Sequence, residues 1–243
     1  MEKKNTRIIE AIVLSAGIII SVIIFSIVWK SARTADQTIT VTGSAKMNIT
    51  ADFGMLSGTL TVRNESAKYA FRNLNGNMPR VIKFLSKYGF KKNDIELFTI
   101  NSYPIYRMND KGYSTQQIQA YNYSQRIKIE SDDVNKIKEI SLAISSLVED
   151  GVNFNVDPPK YLYTKLHQIK IDIQAKAAAN AMLRAEKIAK ATGRDLGPLR
   201  KARMGVIQIT PRNSTSVSDY GFNDTSSIEK EITAVVNASF EIQ

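Results

Sequence analysis

From Ala11 to Trp29 the chain carries no charged side chain, and twelve of these nineteen positions are strongly apolar: Ile12, Val13, Leu14, Ile18, Ile19, Ile20, Val22, Ile23, Ile24, Phe25, Ile27 and Val28. As a helix the run rises about 28 Å, close to the roughly 30 Å hydrocarbon core of a bilayer. Its apolar side chains favour insertion by about 4–7 kcal/mol. The pattern predicts a retained membrane anchor at 11–29, with residues 1–10 as a cytoplasmic tail and 30–36 as a linker. A cleaved signal peptide is the alternative, but its apolar region is usually about 7–15 residues and ends in small residues. Trp29-Lys30-Ser31-Ala32-Arg33-Thr34-Ala35 offers no clean small-x-small site. Lys3, Lys4 and Arg7 precede the run and Lys30 and Arg33 follow it. The positive-inside bias therefore puts the N-terminus in the cytoplasm and the rest of the chain on the far side.

After the anchor the periodicity changes. Gln37–Met47 alternates, with Ile39, Val41 and Gly43 on one side and threonines on the other, and predicts a half-buried strand. Phe53–Val62 predicts a second strand, in which Gly54 and Gly58 imply a bulge or close packing. Ala67, Phe71, Leu74, Met78, Ile82 and Leu85 form a helical stripe that ends at Lys87-Tyr88-Gly89; Pro79, which cannot donate to the carbonyl four residues back, is expected to kink it near Asn75. Ile95–Tyr106 and Ile118–Ile129 predict a hairpin around Asn109-Asp110-Lys111-Gly112, with Pro104 marking an edge or bulge. Ser131 is expected to cap the helix carrying Val134, Ile137, Ile140, Ile144 and Leu147, with Asp132 and Asp133 complementing its dipole. A short strand at 152–156 stops at Pro158-Pro159. An Ala-rich helix follows from about Thr164 to Ala191, then a strand at 199–209, a polar loop at about 211–227 expected to be mobile, and a final alternating strand, 232–242. The order β-β-α-β-β-α-β-α-β-β argues an α+β fold of largely antiparallel sheets packed by helices, preceded by one transmembrane helix. Residues 37–243 are expected to form the exported domain.

The chain has no cysteine, which excludes disulfides, thiol catalysis, zinc ribbons and iron–sulfur clusters. Its net charge is +10, and the excess concentrates between Lys160 and Arg203, where eleven basic residues face only Asp172, Glu186 and Asp195. Such a surface attracts polyanions. Lys176, Arg184, Lys187 and Lys190 on the Ala-rich helix are the candidate anionic-ligand or assembly surface. Alanines let that helix lie close to a sheet or a neighbouring subunit. The tyrosines of the hairpin, notably Tyr121 and Tyr123, are the second candidate surface, although tyrosine is also a favoured packing residue in strands.

Positive evidence for catalysis is missing from the sequence. The single histidine, His167, is followed by Lys170 and Ile171 where a helical metal site would place its next ligands. There is no Gly-x-Ser-x-Gly elbow, phosphate loop or dinucleotide fingerprint. Neither cofactor nor metal is expected.

The strand Ile39-Thr40-Val41-Thr42-Gly43-Ser44-Ala45 resembles the opening strand of SIMPL-domain proteins, which include bacterial periplasmic immunogenic proteins. The similarity continues through Lys87-Tyr88-Gly89-Phe90, Asn93-Asp94-Ile95, Tyr121–Ile127, Asp132–Ile137 and Ala191-Thr192-Gly193-Arg194-Asp195-Leu196-Gly197. It covers nearly all of 37–243. Pro79 and the Tyr161-Leu162-Tyr163 segment depart from the pattern. The resemblance implies a cell-envelope protein without an established reaction, some members being associated with stress tolerance and some with self-assembly. It names no catalytic residue. The sequence therefore leads to a non-enzymatic, single-pass protein of the bacterial inner membrane with its C-terminal domain outside the cytoplasm. That domain is expected to bind its own copies, as a homo-oligomer, or an envelope partner. The alternative is a module for an anionic envelope component on helix 164–191. No nucleic acid is expected as a partner.

Overall fold

The computed structural model describes residues 2–35, 37–216 and 218–242, with the side chains of 13–29, 37–216 and 218–242. The chain begins with helix α1 (Glu2–Ala35). The described side chains from Val13 to Trp29 are all exposed, and the Phe25 and Trp29 rings stack 5.7 Å apart. Among the described residues no helix is long and apolar enough to cross a membrane. The anchor expected at 11–29 includes Ala11 and Ile12, whose side chains lie outside the described residues.

Beyond α1 the fold is α+β, with antiparallel sheets packed by helices. The chain forms two compact units. The first takes Met1–Lys46, Ile169–Ile207 and Thr233–Gln243; the second takes Met47–Gln168 and Gln208–Ile232.

The first unit is built on β1 (Thr38–Thr50), β9 (Glu229–Ile242) and β7 (Leu196–Met204), in the order β1-β9-β7, and on helix α4 (Leu166–Ala191). Ala234, Val236, Ala238 and Phe240 of β9 are buried at alternate positions, because a strand presents every second side chain to one face. Ile173, Ala177, Ala181, Ala185 and Ala189 of α4 are buried four residues apart, one stripe of a helix. Gly43 shows how closely the two layers meet. A Cβ there would lie 2.3 Å from the Ala177 carbonyl oxygen and the Ala181 nitrogen, and 2.6 Å from Ala181 Cβ. Of the two packing modes open to the alanines, the sheet of their own unit takes them.

The second unit carries a sheet in the order β3-β4-β2-β5, with β6 also on β2. Its strands are β2 (Phe53–Asn64), β3 (Ile95–Met108), β4 (Ser114–Ser131), β5 (Phe154–Val156) and β6 (Lys160–Leu162). β2 and β4 are antiparallel from Gly54↔Ser131 to Asn64↔Tyr121. Helices α2 (Ala67–Lys87) and α3 (Val134–Ala143) supply Leu74, Val81, Leu85, Ile137 and Ile140 to a core with Leu56, Leu60, Ile127 and Ile129. β6 was not foreseen: Pro158-Pro159 ends one strand, and three residues beyond it pair again with β2. The strand expected at 199–209 is two, because β7 stops at Met204 and β8 (Gln208–Pro211) pairs separately with β9.

Local details follow from side-chain chemistry. α2 continues through Pro79, and its buried stripe is Ala70, Leu74, Met78, Val81 and Leu85. Phe71, expected inside, stays at the rim edge-on to Tyr123, with ring centroids 6.1 Å apart. The cap of α3 is Asp133, whose Oδ1 accepts from the Asn135 and Lys136 backbone N–H groups, while Ser131 Oγ accepts from Asp133 N. In β2 the glycine at 58 marks close packing, since a Cβ there would meet the Phe154 ring at 2.3 Å.

Candidate functional site

The four expected cations of α4 are all exposed. Arg184 Nη1 donates to the Thr42 carbonyl at 2.9 Å, and Asn180 Oδ1 accepts from Ser44 N at 3.1 Å. Residues two apart in a strand point their backbone groups the same way. α4 thus covers part of the outer edge of β1, which closes one end of the sheet order. Lys190 pairs with Glu186 one turn away at 2.7 Å. That contact raises the Lys190 ammonium and lowers the Glu186 carboxyl from their ordinary values. Lys187 and Arg184 line a shallow groove of about 640 Å³ with Leu183, Ile188 and the Thr40–Thr42 stretch. Arg184 and Lys190 are therefore already engaged, and the surface that α4 offers is mixed basic and apolar.

The tyrosines belong to the second unit. Tyr123 is half-buried against the core beneath Phe71, and Tyr121 stands opposite Asn64 on one side and Pro104 on the other. Tyr123 is thus a packing residue, whereas Tyr121 is partly exposed. The exposed aromatics are Tyr103, Tyr106 and Tyr113, which share the hairpin with exposed Leu97, Phe98, Met108 and Ile118. β3 is an outer strand with register shifts between Leu97 and Ile100 and again around Tyr106. Bulges and a proline discourage a further strand from adding to such an edge. Its apolar side chains remain accessible.

Two features escaped the sequence reading. The first is a buried ion pair in the segment expected to be a mobile loop. Lys230, 1% exposed, donates from Nζ to the Asp224 carbonyl at 2.7 Å and to Asp224 Oδ2 at 3.0 Å. Ser226 N and Oγ donate to Oδ1, and Ser227 N and Oγ donate to Oδ2. Burial pushes the Asp224 carboxyl up. The hydrogen bonds from Ser226, Ser227 and Lys230 outweigh that effect and hold it well below the usual carboxylate range. The pair ties residues 224–230 down as a structural lock. Asp-x-Ser-Ser before an alternating strand was the available signal.

The second is a basic face on α2. The helix carries Lys68, Arg72, Arg80, Lys83 and Lys87 and no acidic residue. Arg72 and Arg80 share a groove of about 520 Å³ with Arg63 at the end of β2, Asn73, Asn77 and Asn153. The signal in the sequence is five basic residues and no acidic one over 67–87, beside a larger basic excess at 160–203. Among the described residues there is no group of three or more His, Cys, Asp or Glu side chains fit to hold a metal.

Residues 39–240 match the family model SIMPL, described as a protein of unknown function (DUF541). The chain belongs to the SIMPL family. It is also similar to the 26 kDa periplasmic immunogenic protein of Brucella melitensis biotype 1, with 25% identity over 169 residues. That match covers 68% of this chain and 65% of the relative, just under two thirds of its length. The SIMPL match takes in parts of both units and leaves α1 outside it.

Proposed function

We propose that this SIMPL protein is a non-enzymatic cell-envelope component, held in the bacterial inner membrane by α1, whose exported region assembles with further copies of itself. The observation that carries the assembly reading is the exposed apolar hairpin. Tyr106 and Ile118 are register partners and therefore share a face; both are exposed, with Met108 and Tyr113 near the same turn. Contiguous apolar surface of this kind marks interaction sites. The exposed isoleucines, valines and aromatics of α1 support the anchor, and the periplasmic relative supports export of the region after it.

Capture of an envelope anion on α4 is a weaker reading, because Lys190 already pairs with Glu186. The test of assembly is sedimentation of the full chain in non-ionic detergent, with and without Ile118→Lys. The expected result is an oligomer that dissociates in the variant while thermal unfolding is unchanged. A monomeric parent chain at all attainable concentrations would refute self-assembly through this hairpin.

A further inference from the structure

The arginine groove on α2 has the construction of a ligand site. Arg72, Gly76 and Arg80 stand at four-residue intervals and so form one stripe of the helix, with Asn73 and Asn77 beside it. Arg63 reaches the groove from β2, and Gly151–Asn153 closes it. Arg80 Nη1 donates to the Asp150 carbonyl at 2.9 Å, which fixes that guanidinium and the approach to the closing loop. Among the described residues, none of the three arginines has a carboxylate within ion-pair distance. Asp150 lines a neighbouring depression with Arg80, Lys83 and Lys87.

Gly76 sharpens the case. A glycine inside a helix is destabilising relative to alanine, and a Cβ at this position would meet nothing within 4 Å. Packing does not require the glycine. Its effect is to leave the floor between Arg72 and Arg80 open.

We infer that this groove binds a phosphorylated sugar, with the phosphoryl group on Arg63, Arg72 and Arg80 and the sugar hydroxyls on Asn73, Asn77 and Asn153. Guanidinium forks match phosphate oxygens in pairs. Carboxamides both donate and accept, as hydroxyl groups require. None of the lining residues is aromatic, so a nucleic acid would find no platform on which to stack its bases. The site is independent of self-assembly through the hairpin.

The test is isothermal titration of the full chain in a non-ionic polyoxyethylene detergent with N-acetylglucosamine 1-phosphate. N-acetylglucosamine, inorganic phosphate and a single-stranded oligonucleotide are titrated in parallel. The sugar phosphate is expected to saturate, the uncharged sugar to give no binding, and inorganic phosphate to bind more weakly. Arg63→Ala and Arg72→Ala, neither of which removes a hydrogen bond seen in the fold, should each weaken binding about tenfold or more. Gly76→Leu fills the floor while keeping every charge, and should abolish sugar-phosphate binding with helix content retained. Absence of saturation below about 1 mM overturns the site. So does affinity unchanged in all three variants. Equal affinity for inorganic phosphate overturns the sugar, and tighter binding of the oligonucleotide replaces the ligand class.

Discussion

Gly43→Ala is the sharpest perturbation of the first unit. The added Cβ would stand 2.3 Å from the Ala177 carbonyl oxygen and the Ala181 nitrogen. Ordinary contact begins near 3.4 Å, so α4 or β1 must retreat by about 1 Å in an interior packed at crystal density. The obstructing atoms are backbone and cannot rotate aside. Moving α4 outward also loosens Ile173, Ala177, Ala181 and Ala185, all fully buried. Overpacking of this kind costs about 1–3 kcal/mol, and the backbone clash puts Gly43→Ala at the upper end. For a chain of this size about 3 kcal/mol corresponds to roughly 6–12 °C in Tm. The assay is urea and thermal denaturation followed by near-ultraviolet circular dichroism. Ala181→Gly in the same chain removes the side-chain contact at 2.6 Å but leaves both backbone contacts, so the double variant should recover only part of the loss. Stability of Gly43→Ala within about 0.5 kcal/mol of the parent would refute the close approach of α4 to β1.

Three further substitutions probe the second unit. Asp224→Asn leaves Lys230 charged and buried without its counter-ion and should cost about 3–5 kcal/mol in urea denaturation. Because the folded Asp224 carboxyl sits below its unfolded value of about 3.9, its contribution is full above that pH and is lost as pH falls through the folded value. The Tm of the parent should therefore drop more steeply than that of Asp224→Asn below about pH 4, and parallel acid profiles would contradict the linkage. Asp133→Ala removes the cap of α3 and should cost about 0.5–2 kcal/mol by chemical denaturation. Gly76→Ala should stabilise α2 by about 0.5–1 kcal/mol, measurable as a raised urea midpoint, because its Cβ enters open space.

The readable parts of the fold were those governed by local rules. The alternation of β9, the helical spacing of α2, the alanine content of α4 and the ends of helices at glycine are set within a few residues. Gly89, Gly151 and Gly193 do take positive φ values just beyond helical segments. What escaped depends on distant partners. The separate pairing of β8 and the addition of β6 are decided by which strand offers a free edge. Which face of α2 is buried is set by the sheet it packs on, and Phe71 is left edge-on to Tyr123. The Asp224–Lys230 pair hides in a stretch whose composition resembles that of solvated loops, because two serines and a lysine supply the hydrogen bonds a buried carboxylate needs. On α4 the basic residues were legible, but Arg184's bond to β1 was not, since the strand lies well over a hundred residues away in sequence. The α2 groove needs β2 and the 151–153 turn to become a site at all.

Protease accessibility of a C-terminal tag in intact spheroplasts tests the central claim most directly. Loss of the tag with the membrane sealed, while a cytoplasmic control survives, is the predicted result: both SIMPL units lie outside the cytoplasm on an anchored chain. Protection of the tag until lysis would put them in the cytosol and contradict both the export and the envelope role.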